Sequence, residues 1–237
     1  GEIALAWERL SDLRWIGITG TNGKTTVTHM LNHVLESNGL IAPMGGNVGT
    51  SATEITYKYN VNKSNKPDYL VMELSSYQIE TSPQISPYIG IWTTLTPDHL
   101  ERHGSIEKYS QIKKSLIDNS KYRIYNADDA YLSSKRSTLK QGKWVSTKGP
   151  GLKESGNDYW ISEQGLIIEK NKVLFHSDSL NLPGNHNREN LLLVIAAARQ
   201  IGLEAEKIKK SIESFKGIPH RIEEIGELSG ITFFNDS

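Results

Sequence analysis

A glycine-rich segment near the start of the chain has the residue types of a phosphate-binding loop. It lies between an apolar run at 15–19 and a helix-like pattern at 25–36, and it reads Gly20-Thr21-Asn22-Gly23-Lys24-Thr25-Thr26. Glycine lets the backbone turn tightly and bring N–H groups close to phosphate oxygens, and the N-terminus of a helix favours anions. We therefore predict that residues 20–26 bind the phosphates of a nucleotide.

Two side chains of this loop have defined chemistry in such a setting. The Lys24 ammonium would reach the β- and γ-phosphates, and the Thr25 hydroxyl would bind Mg²⁺. The strict motif has glycine where this chain has Ile18, so the loop is a variant. The alternative is an ordinary glycine-rich turn that happens to hold a lysine. Gly-Lys-Thr between a strand and a helix argues against that alternative.

A carboxylate and an imidazole follow two further apolar runs. Glu73 is near the end of the run at 68–74, and His99 follows the run at 88–95. Open α/β sheets place their sites at the carboxyl ends of strands, and Mg²⁺ prefers oxygen ligands. Glu73 is therefore the best candidate magnesium ligand. The alternatives are a solvated strand-end carboxylate for Glu73 and a polar loop residue for His99.

Apolar runs alternate with helical patterns through much of the chain, which predicts an α/β fold. Its main part would be a mostly parallel sheet that contains the phosphate-binding loop (P-loop) and has flanking helices. The predicted strands are 15–19, 68–74, 88–95 and 123–126, and the predicted helices are 25–36, 106–117, 185–200 and 204–215, with one more from 127. Short runs between 143 and 175, separated by Gly, Asn and Asp, predict a small antiparallel β region without a functional motif.

Composition excludes several classes of protein. Of 237 residues, 27 are Lys or Arg and 27 are Asp or Glu, so the formal net charge is zero. A strongly basic nucleic-acid binder is disfavoured. Cysteine is absent, which rules out disulfides and thiolate metal sites. No apolar run approaches the ~18 residues of a membrane span, and the first residues do not form a signal peptide. We expect a cytoplasmic protein that binds neither membrane nor nucleic acid.

Several motifs together resemble those of the Mur ligase family. Besides the loop at 20–26, the matching segments are Gly45–Gly49, Glu73–Glu80, Pro97–His103, Gly184–Asn190, Pro219–Arg221 and Asn235–Ser237. The loop is also similar to that of folylpolyglutamate synthase. The segment Glu-Leu-Ser-Ser-Tyr-Gln at 73–78 instead resembles the family members that add D-glutamate.

The resemblance implies an ATP-dependent amide-bond ligase of peptidoglycan precursor synthesis. Such an enzyme uses ATP and Mg²⁺ to add D-glutamate to UDP-N-acetylmuramoyl-L-alanine through an acyl phosphate, and we expect a monomer. The alternatives are a ligase similar to folylpolyglutamate synthase and a regulatory ATPase that only binds nucleotide. Formation of an acyl phosphate by the full-length enzyme would distinguish a ligase from the latter.

The resemblance also implies a domain organisation. Residues 1–217 would be the central ATP-binding domain, with 143–175 as its small β region. Residues 218–237 would begin a truncated, Rossmann-like C-terminal domain, and the N-terminal UDP-binding domain would be absent. We therefore expect the chain alone to make no ligase product; detection of product from the three substrates would contradict this.

Site residues follow from the resemblance position by position. Lys24, Glu73, His99 and Lys113 would be catalytic, and the last three would join Thr25 around metal, with Lys113 carbamylated. A solvent-facing lysine is the alternative for Lys113. Nucleotide contacts would come from the loop and from Asn187, Asn190, Arg221 and Asp236, with an ordinary surface pair as the alternative for the last two. The substrate would meet Asn47, Ser75 and Gln78.

The spacing of Asn187 and Asn190 by itself also supports a nucleotide-binding interpretation. Asn187 and Asn190 are three residues apart, so they share one face of a helix. An amide both donates and accepts hydrogen bonds, which suits the edge of an adenine ring. The alternative role for such asparagines is capping the helix, and Asn185 is better placed for that.

Overall fold

The computed structural model describes residues 1–61, 65–151, 156–218, 223–228 and 231–235. The strands are β1 (Trp15–Thr19), β2 (Met44–Gly46), β3 (Leu70–Glu73), β4 (Ile89–Trp92), β5 (Tyr122–Asn126), β6 (Lys143–Ser146), β7 (Tyr159–Ile161), β8 (Leu166–Glu169), β9 (Lys172–His176), β10 (Glu223–Leu228) and β11 (Ile231–Asn235). The α-helices are α1 (Glu2–Leu10), α2 (Lys24–Ser37), α3 (Ala52–Thr56), α4 (Ser76–Glu80), α5 (Leu100–His103), α6 (Ile106–Asn119), α7 (Ala130–Ser134), α8 (Asn185–Ile201) and α9 (Ala205–Glu213). A π-helical turn, Tyr57–Val61, follows α3.

Nine strands form one sheet in the order β2-β3-β1-β4-β5-β6-β7-β8-β9. All pairings from β2 to β7 are parallel, and β7, β8 and β9 pair antiparallel. The predicted class, a mostly parallel α/β sheet with antiparallel strands, is confirmed. The first strand lies inside the sheet and is buried along its whole length, as expected of a parallel strand covered on both faces.

Alternating side chains of the strands enter different cores on the two faces of the sheet. Ile16 and Ile18 of β1, with Val71 of β3, pack with the apolar residues of α2, α8 and α9. Trp15 and Leu70 point the other way and pack with α1. Further along that second face, a third cluster joins the sheet to α6 and α7; it contains Trp92, Leu95, Tyr109, Ile117, Tyr125, Leu132 and Trp144. The sheet is therefore the middle of three layers, which holds the ends of its strands rigidly.

The region 143–175 differs in part from its prediction. Strand β6 is not antiparallel: it pairs parallel with β5 on one side and with β7 on the other. Strands β7, β8 and β9 do form the expected antiparallel meander, but they extend the main sheet. Short runs broken by Gly and Asn predict strands without fixing their partners. Pairing depends on Val145, Tyr159 and Ile167, which all enter the core shared with α8.

Helix ends follow local capping, and two of them differ from the predictions. The Ser105 hydroxyl accepts a hydrogen bond from the Lys108 backbone N–H at the start of α6, and so caps this helix. The helix predicted from 127 begins only at 130, because the Asp129 carboxylate caps it. The prediction that Asn185 caps α8 is wrong, since the cap position is Gly184 and Asn185 is the first helical residue.

The last described strands, β10 and β11, form a separate antiparallel pair. Within the described part of the chain, no helix combines the length and apolar character needed to cross a membrane.

Packing between β4 and α6 depends on a glycine, and this gives a first prediction. A Cβ at Gly90 would lie 2.3 Å from Ser120 Oγ and 2.8 Å from Ser120 Cβ. We expect Gly90→Ala to lower the free energy of unfolding by about 1–3 kcal/mol, the usual cost of overpacking. Urea unfolding measures this.

The matched variant is Gly90→Ala combined with Ser120→Gly, which removes the clashing atoms. The double variant should recover part of the loss in a double-mutant cycle. Strictly additive losses would contradict the packing argument.

Candidate active site

The phosphate-binding loop lies where the strand order reverses. Strand β1 is followed in sequence by β2 and β3 on one side of it, whereas β4 pairs on its other side. Ligands of open α/β sheets bind in the crevice at such a switch point, beyond the carboxyl ends of the strands. The loop 20–23 leaves β1 at this end and leads directly into α2, which begins at Lys24. The predicted strand–loop–helix context is therefore present.

Three threonines after β4 hold the loop by hydrogen bonds. The Thr21 N–H donates to the Thr94 carbonyl at 2.9 Å, and the Thr21 hydroxyl donates to the Thr96 carbonyl at 3.1 Å. The Asn22 N–H donates to the Thr94 hydroxyl at 2.9 Å, while the Thr93 hydroxyl donates to the Asn22 carbonyl at 2.5 Å. These bonds fix the peptide planes of the loop before any phosphate arrives.

Two glycines of the loop are required by close approach and by backbone angle. Gly20 has φ +153° and Gly23 has φ +82°. A Cβ would lie 1.9 Å from Thr93 Oγ1 at Gly20, and 2.6 Å from Asn190 Oδ1 at Gly23. We call Thr93, Thr94 and Thr96 the threonine strap. A larger residue at Gly20 would displace this strap, and one at Gly23 would displace helix α8.

Lys24 folds over its own loop in this structure. Its ammonium donates a hydrogen bond to the Thr21 carbonyl at 2.9 Å. The side chain therefore bends back over the backbone of the loop. Thr25 and Thr26, the next residues, form the first turn of α2 and are partly buried.

Glu73, at the end of β3, is a buried carboxylate with one unsatisfied oxygen. It is 1% exposed, so the alternative of a solvated strand-end carboxylate is wrong. Its Oε1 accepts from the Asn47 side-chain amide at 2.8 Å, whereas its Oε2 is buried without a hydrogen-bond partner. A buried unpaired acceptor costs free energy, roughly 1–3 kcal/mol or more when charged. Such an atom is suited to a bound cation.

Lys113 of α6 is also buried, with 1% exposure, so the alternative of a solvent-facing lysine is wrong. Its ammonium donates to the Gly20 carbonyl at 2.9 Å. Burial, and second the Lys24 ammonium, lower the pKa of Lys113 from 10.5 to about 7, against the opposing effects of Asp98 and Glu73. Its sequence neighbour Lys114 instead pairs with Asp118 one helical turn away.

Aromatic rings connect His99 to this lysine. The ring of Tyr109 lies 4.6 Å from the Lys113 ammonium, and its hydroxyl is 3.4 Å from the Thr21 hydroxyl. Tyr109 stacks on His103 and meets His99 edge to face. His99 is partly exposed and lies 3.4 Å from Asp98. The predicted His99 and Lys113 are thus joined through a residue that the sequence analysis did not single out.

His103 is the second residue of this group that the sequence analysis missed. It is buried, its Nε2 meets the Ser76 hydroxyl at 3.0 Å, and its Nδ1 has no partner. Burial lowers the pKa of His103, with Glu80 opposing this effect. His103 ends the short helix α5 and Tyr109 lies in the first turn of α6, and their spacing indicates no particular chemistry. The available signals were the place of His103 in the segment Pro97–His103 and the place of Tyr109 one helical turn before Lys113.

The predicted substrate residues Ser75 and Gln78 form the cap of α4. The Ser75 hydroxyl accepts from the Gln78 N–H, and the Gln78 Oε1 accepts from the Ser75 N–H at 3.0 Å. Ser75 lies two residues after Glu73, and Gln78 lies in the first turn of α4. Arg221 and Asp236 lie outside the described residues.

A cavity of 330 Å³ opens between the phosphate-binding loop and the start of α8. The loop side presents Asn22, Gly23 and Thr26, and the strap contributes Thr94. The remaining lining residues are Leu182, His186, Asn187, Glu189, Asn190 and Ile218. The structure therefore brings Asn187 and Asn190 to the predicted loop, although they are more than 150 residues away in sequence.

In the described part of the chain, no group of three His, Asp or Glu side chains is arranged as a metal site. Any metal there would need ligands of other kinds beside Glu73.

A loop of this kind at the switch point of a mostly parallel α/β sheet is typical of nucleotide-binding domains. The chain belongs to the Mur ligase family, because residues 18–198 match the Mur ligase middle domain.

Two curated relatives of similar sequence share one name. The chain is 56% identical over 237 residues to the UDP-N-acetylmuramoylalanine–D-glutamate ligase of Prochlorococcus marinus strain MIT 9313, and covers 52% of it. It is 55% identical over 238 residues to the ligase of the same name from Synechococcus sp. strain CC9902, and again covers 52%. In both cases the whole chain is matched, so the chain spans about half the length of these relatives.

Solved structures agree on the fold. A structure of UDP-N-acetylmuramoyl-L-alanyl-D-glutamate–2,6-diaminopimelate ligase matches with a TM-score of 0.74 at 22% identity, over 91% of this chain and 49% of that one. A crystal structure of MurF from Acinetobacter baumannii matches with a TM-score of 0.73 at 21% identity, over 99% of this chain and 52% of that one. At such low identity the likeness concerns the fold alone.

The burial of Lys113 predicts a pH dependence of stability. With the folded pKa near 7 and the ordinary value at 10.5, the unfolded chain binds more protons at this residue between these two pH values. Stability therefore rises with pH in that window. We expect the free energy of unfolding of wild type to increase, relative to that of Lys113→Met, from pH 7 to about 9.

Urea unfolding at several pH values measures this difference, and Lys114→Met is the matched control. Parallel pH curves for wild type and Lys113→Met would contradict the prediction.

Proposed function

We propose that this chain is the nucleotide-binding part of an ATP-dependent ligase that adds D-glutamate to UDP-N-acetylmuramoyl-L-alanine. Mur ligases are ATP-dependent, so family membership supports ATP as the nucleotide. The identity of 52–57% to seven ligases named for D-glutamate supports the amino acid. The observation that carries the proposal is the pairing of two features at neighbouring strand ends. The loop after β1 is held by the threonine strap, and Glu73 at the end of β3 is buried with one carboxylate oxygen unpaired.

The chemistry requires two anions to meet, the γ-phosphate of ATP and the carboxylate of the muramoyl substrate. The carboxylate oxygen attacks the γ-phosphorus, the bond to ADP breaks, and an acyl phosphate forms. The amine of D-glutamate then attacks the acyl carbon, and phosphate leaves. Concentrated positive charge lowers the barrier to the first step. Lys24 provides such a charge above the loop, and the loop amides orient the phosphates.

Magnesium fits the residues at this site. The free Oε2 of Glu73 is a hard, buried oxygen donor, and Thr25 follows the loop lysine at the position whose hydroxyl holds Mg²⁺ in P-loops. When bound, the metal would neutralise charge on the phosphate oxygens. Asn47 holds the other oxygen of Glu73 and so sets the direction in which the carboxylate presents its free atom.

The muramoyl substrate is proposed to approach from the side of β2 and α4. Asn47 follows β2 and donates to Glu73, and Ser75 with Gln78 caps α4, the helix that begins three residues after Glu73. Their amide and hydroxyl groups can donate to a carboxylate or a developing phosphate. His99 lies across the site beside Asp98 and is proposed as a further ligand for metal.

We further propose that Lys113 is carbamylated. Burial favours its neutral amine, whose nitrogen can attack the carbon of CO₂; an N–C bond forms and a proton is lost to solvent. The resulting carbamate would be an oxygen ligand close to the loop carbonyl of Gly20.

Incubation with ¹³C-bicarbonate followed by ¹³C NMR tests the carbamate. We expect one carbamate resonance in wild type and in Lys114→Met, and none in Lys113→Met. A resonance that survives in Lys113→Met, or none in wild type, would contradict this assignment.

The wider context of the protein remains part of the proposal. Residues 1–217 would form the central domain, and 218–237, including Arg221 and Asp236, would begin a following domain that approaches phosphate and ribose. We propose a monomer that works in the cytoplasm and binds neither nucleic acid nor membrane.

Nucleotide binding is the direct test of the site. We expect the chain to bind MgATP in a calorimetric titration and Lys24→Ala to bind at least about tenfold more weakly, because a charge-assisted contact is lost. Lys207→Ala, which removes an exposed lysine on α9, is the matched control and should bind as wild type does. Equal affinity of wild type and Lys24→Ala would remove Lys24 from its role, and no binding by wild type would contradict the proposed site.

A further inference from the structure

A carboxylate lines the nucleotide cavity without any role assigned to it so far. Glu189 lies in the first turns of α8 and is partly buried, and it borders the same cavity as Asn187 and Asn190. Residues 186, 187, 189 and 190 fall within one half of the helix surface at about 100° per residue. The cavity wall on this helix therefore combines two amides, an imidazole and one group that only accepts hydrogen bonds.

Two asparagines hold this carboxylate in place. The buried Asn126, at the end of β5, donates from its side-chain amide to Glu189 Oε2 at 2.8 Å. Asn185 donates to Glu189 Oε1 at 3.2 Å and also contacts the Thr147 hydroxyl at 3.2 Å. Each oxygen has one of these donors and keeps further acceptor capacity. The side chain is thus anchored from the sheet, which costs little entropy on ligand binding.

The rest of the cavity suits a flat, partly apolar ring. Leu182 and Ile218 provide apolar walls, while Asn22, Gly23 and Thr26 belong to the phosphate side. A nucleotide whose phosphates lie on the loop would place its nucleoside towards α8. An acceptor at this end favours a base edge with an amino group and disfavours one with a carbonyl group.

We propose that Glu189 selects the purine by accepting a hydrogen bond from the exocyclic 6-amino group, and so distinguishes ATP from GTP. This inference rests on the proposed function, since it needs nucleotide in this cavity. The 6-oxo group of guanine would face the carboxylate as a second acceptor, and this mismatch is repulsive. The ribose hydroxyls are the other donors of ATP, so the test must separate base from sugar.

The test is calorimetric titration of wild type and Glu189→Gln with MgATP, MgGTP and Mg-2′-deoxyATP. A glutamine amide can also donate, so it tolerates the guanine carbonyl. We expect Glu189→Gln to weaken the binding of ATP and of deoxyATP equally, by about tenfold. Because GTP should bind more tightly to this variant, the ratio of ATP affinity to GTP affinity should fall by more than tenfold. Glu206→Gln makes the same substitution at an exposed carboxylate in the first turn of α9, outside the cavity, and should leave all three affinities unchanged.

The remaining outcomes are distinct. An unchanged ratio of ATP to GTP, with both affinities lowered together, would mean that Glu189 only supports the helix, and would overturn the inference. Loss of only the difference between ATP and deoxyATP would assign Glu189 to the ribose and would also overturn it. Failure of the wild-type chain to bind any nucleotide would contradict the proposed function as well. Melting temperatures of the variants identify a change in folding.

Discussion

The conformation of the loop after β1 depends on the close approach of the Gly20 backbone to Thr93 and Thr94 at the end of β4. A side chain there would collide with the Thr93 hydroxyl, and the backbone has a φ angle that favours glycine. This contact lets the threonine strap bond to the peptides of Thr21 and Asn22. The same close approach brings the Gly20 carbonyl to the ammonium of Lys113 on the opposite layer of helices. One narrow junction between two strands thus orders the loop, the strap and the buried lysine together.

Two buried ionisable side chains without full compensation lie around that junction. Lys113 is buried near a second ammonium, that of Lys24, and Glu73 is buried with one oxygen unpaired. Neither arrangement favours stability by itself, because burial of charge is costly without full compensation. Sites that handle phosphate need such preorganised charges, since reorganising them during the reaction would cost more. The three rigid layers around the sheet allow these groups to stay in place.

The second half of the site comes from the far end of the chain. Helix α8 packs beside α2 in the core that both share with one face of the sheet. Its first turns thereby reach Gly23, where Asn190 fills the space that a larger residue would need. Asn126 and Asn185 tie Glu189 to the ends of β5 and to the residue after β6. Strand order and helix packing, rather than sequence distance, decide which polar groups meet the nucleotide.

Much of the fold and several site residues could be predicted from the sequence, because their signals are local. Apolar runs gave β1, β3, β4 and β5, and Gly-Lys-Thr gave the loop and its helix. The partners of β6 could not be predicted, since pairing is decided by side chains distant in sequence that share one core. Lys113 was indicated by the sequence resemblance, with a solvent-facing lysine as the alternative. Only the fold buries it, because its face of α6 packs on the phosphate loop. Tyr109 and the threonine strap belong to no motif, and the motif that ends at His103 gave that residue no role. Their contacts exist only after β1, β4 and α6 have come together.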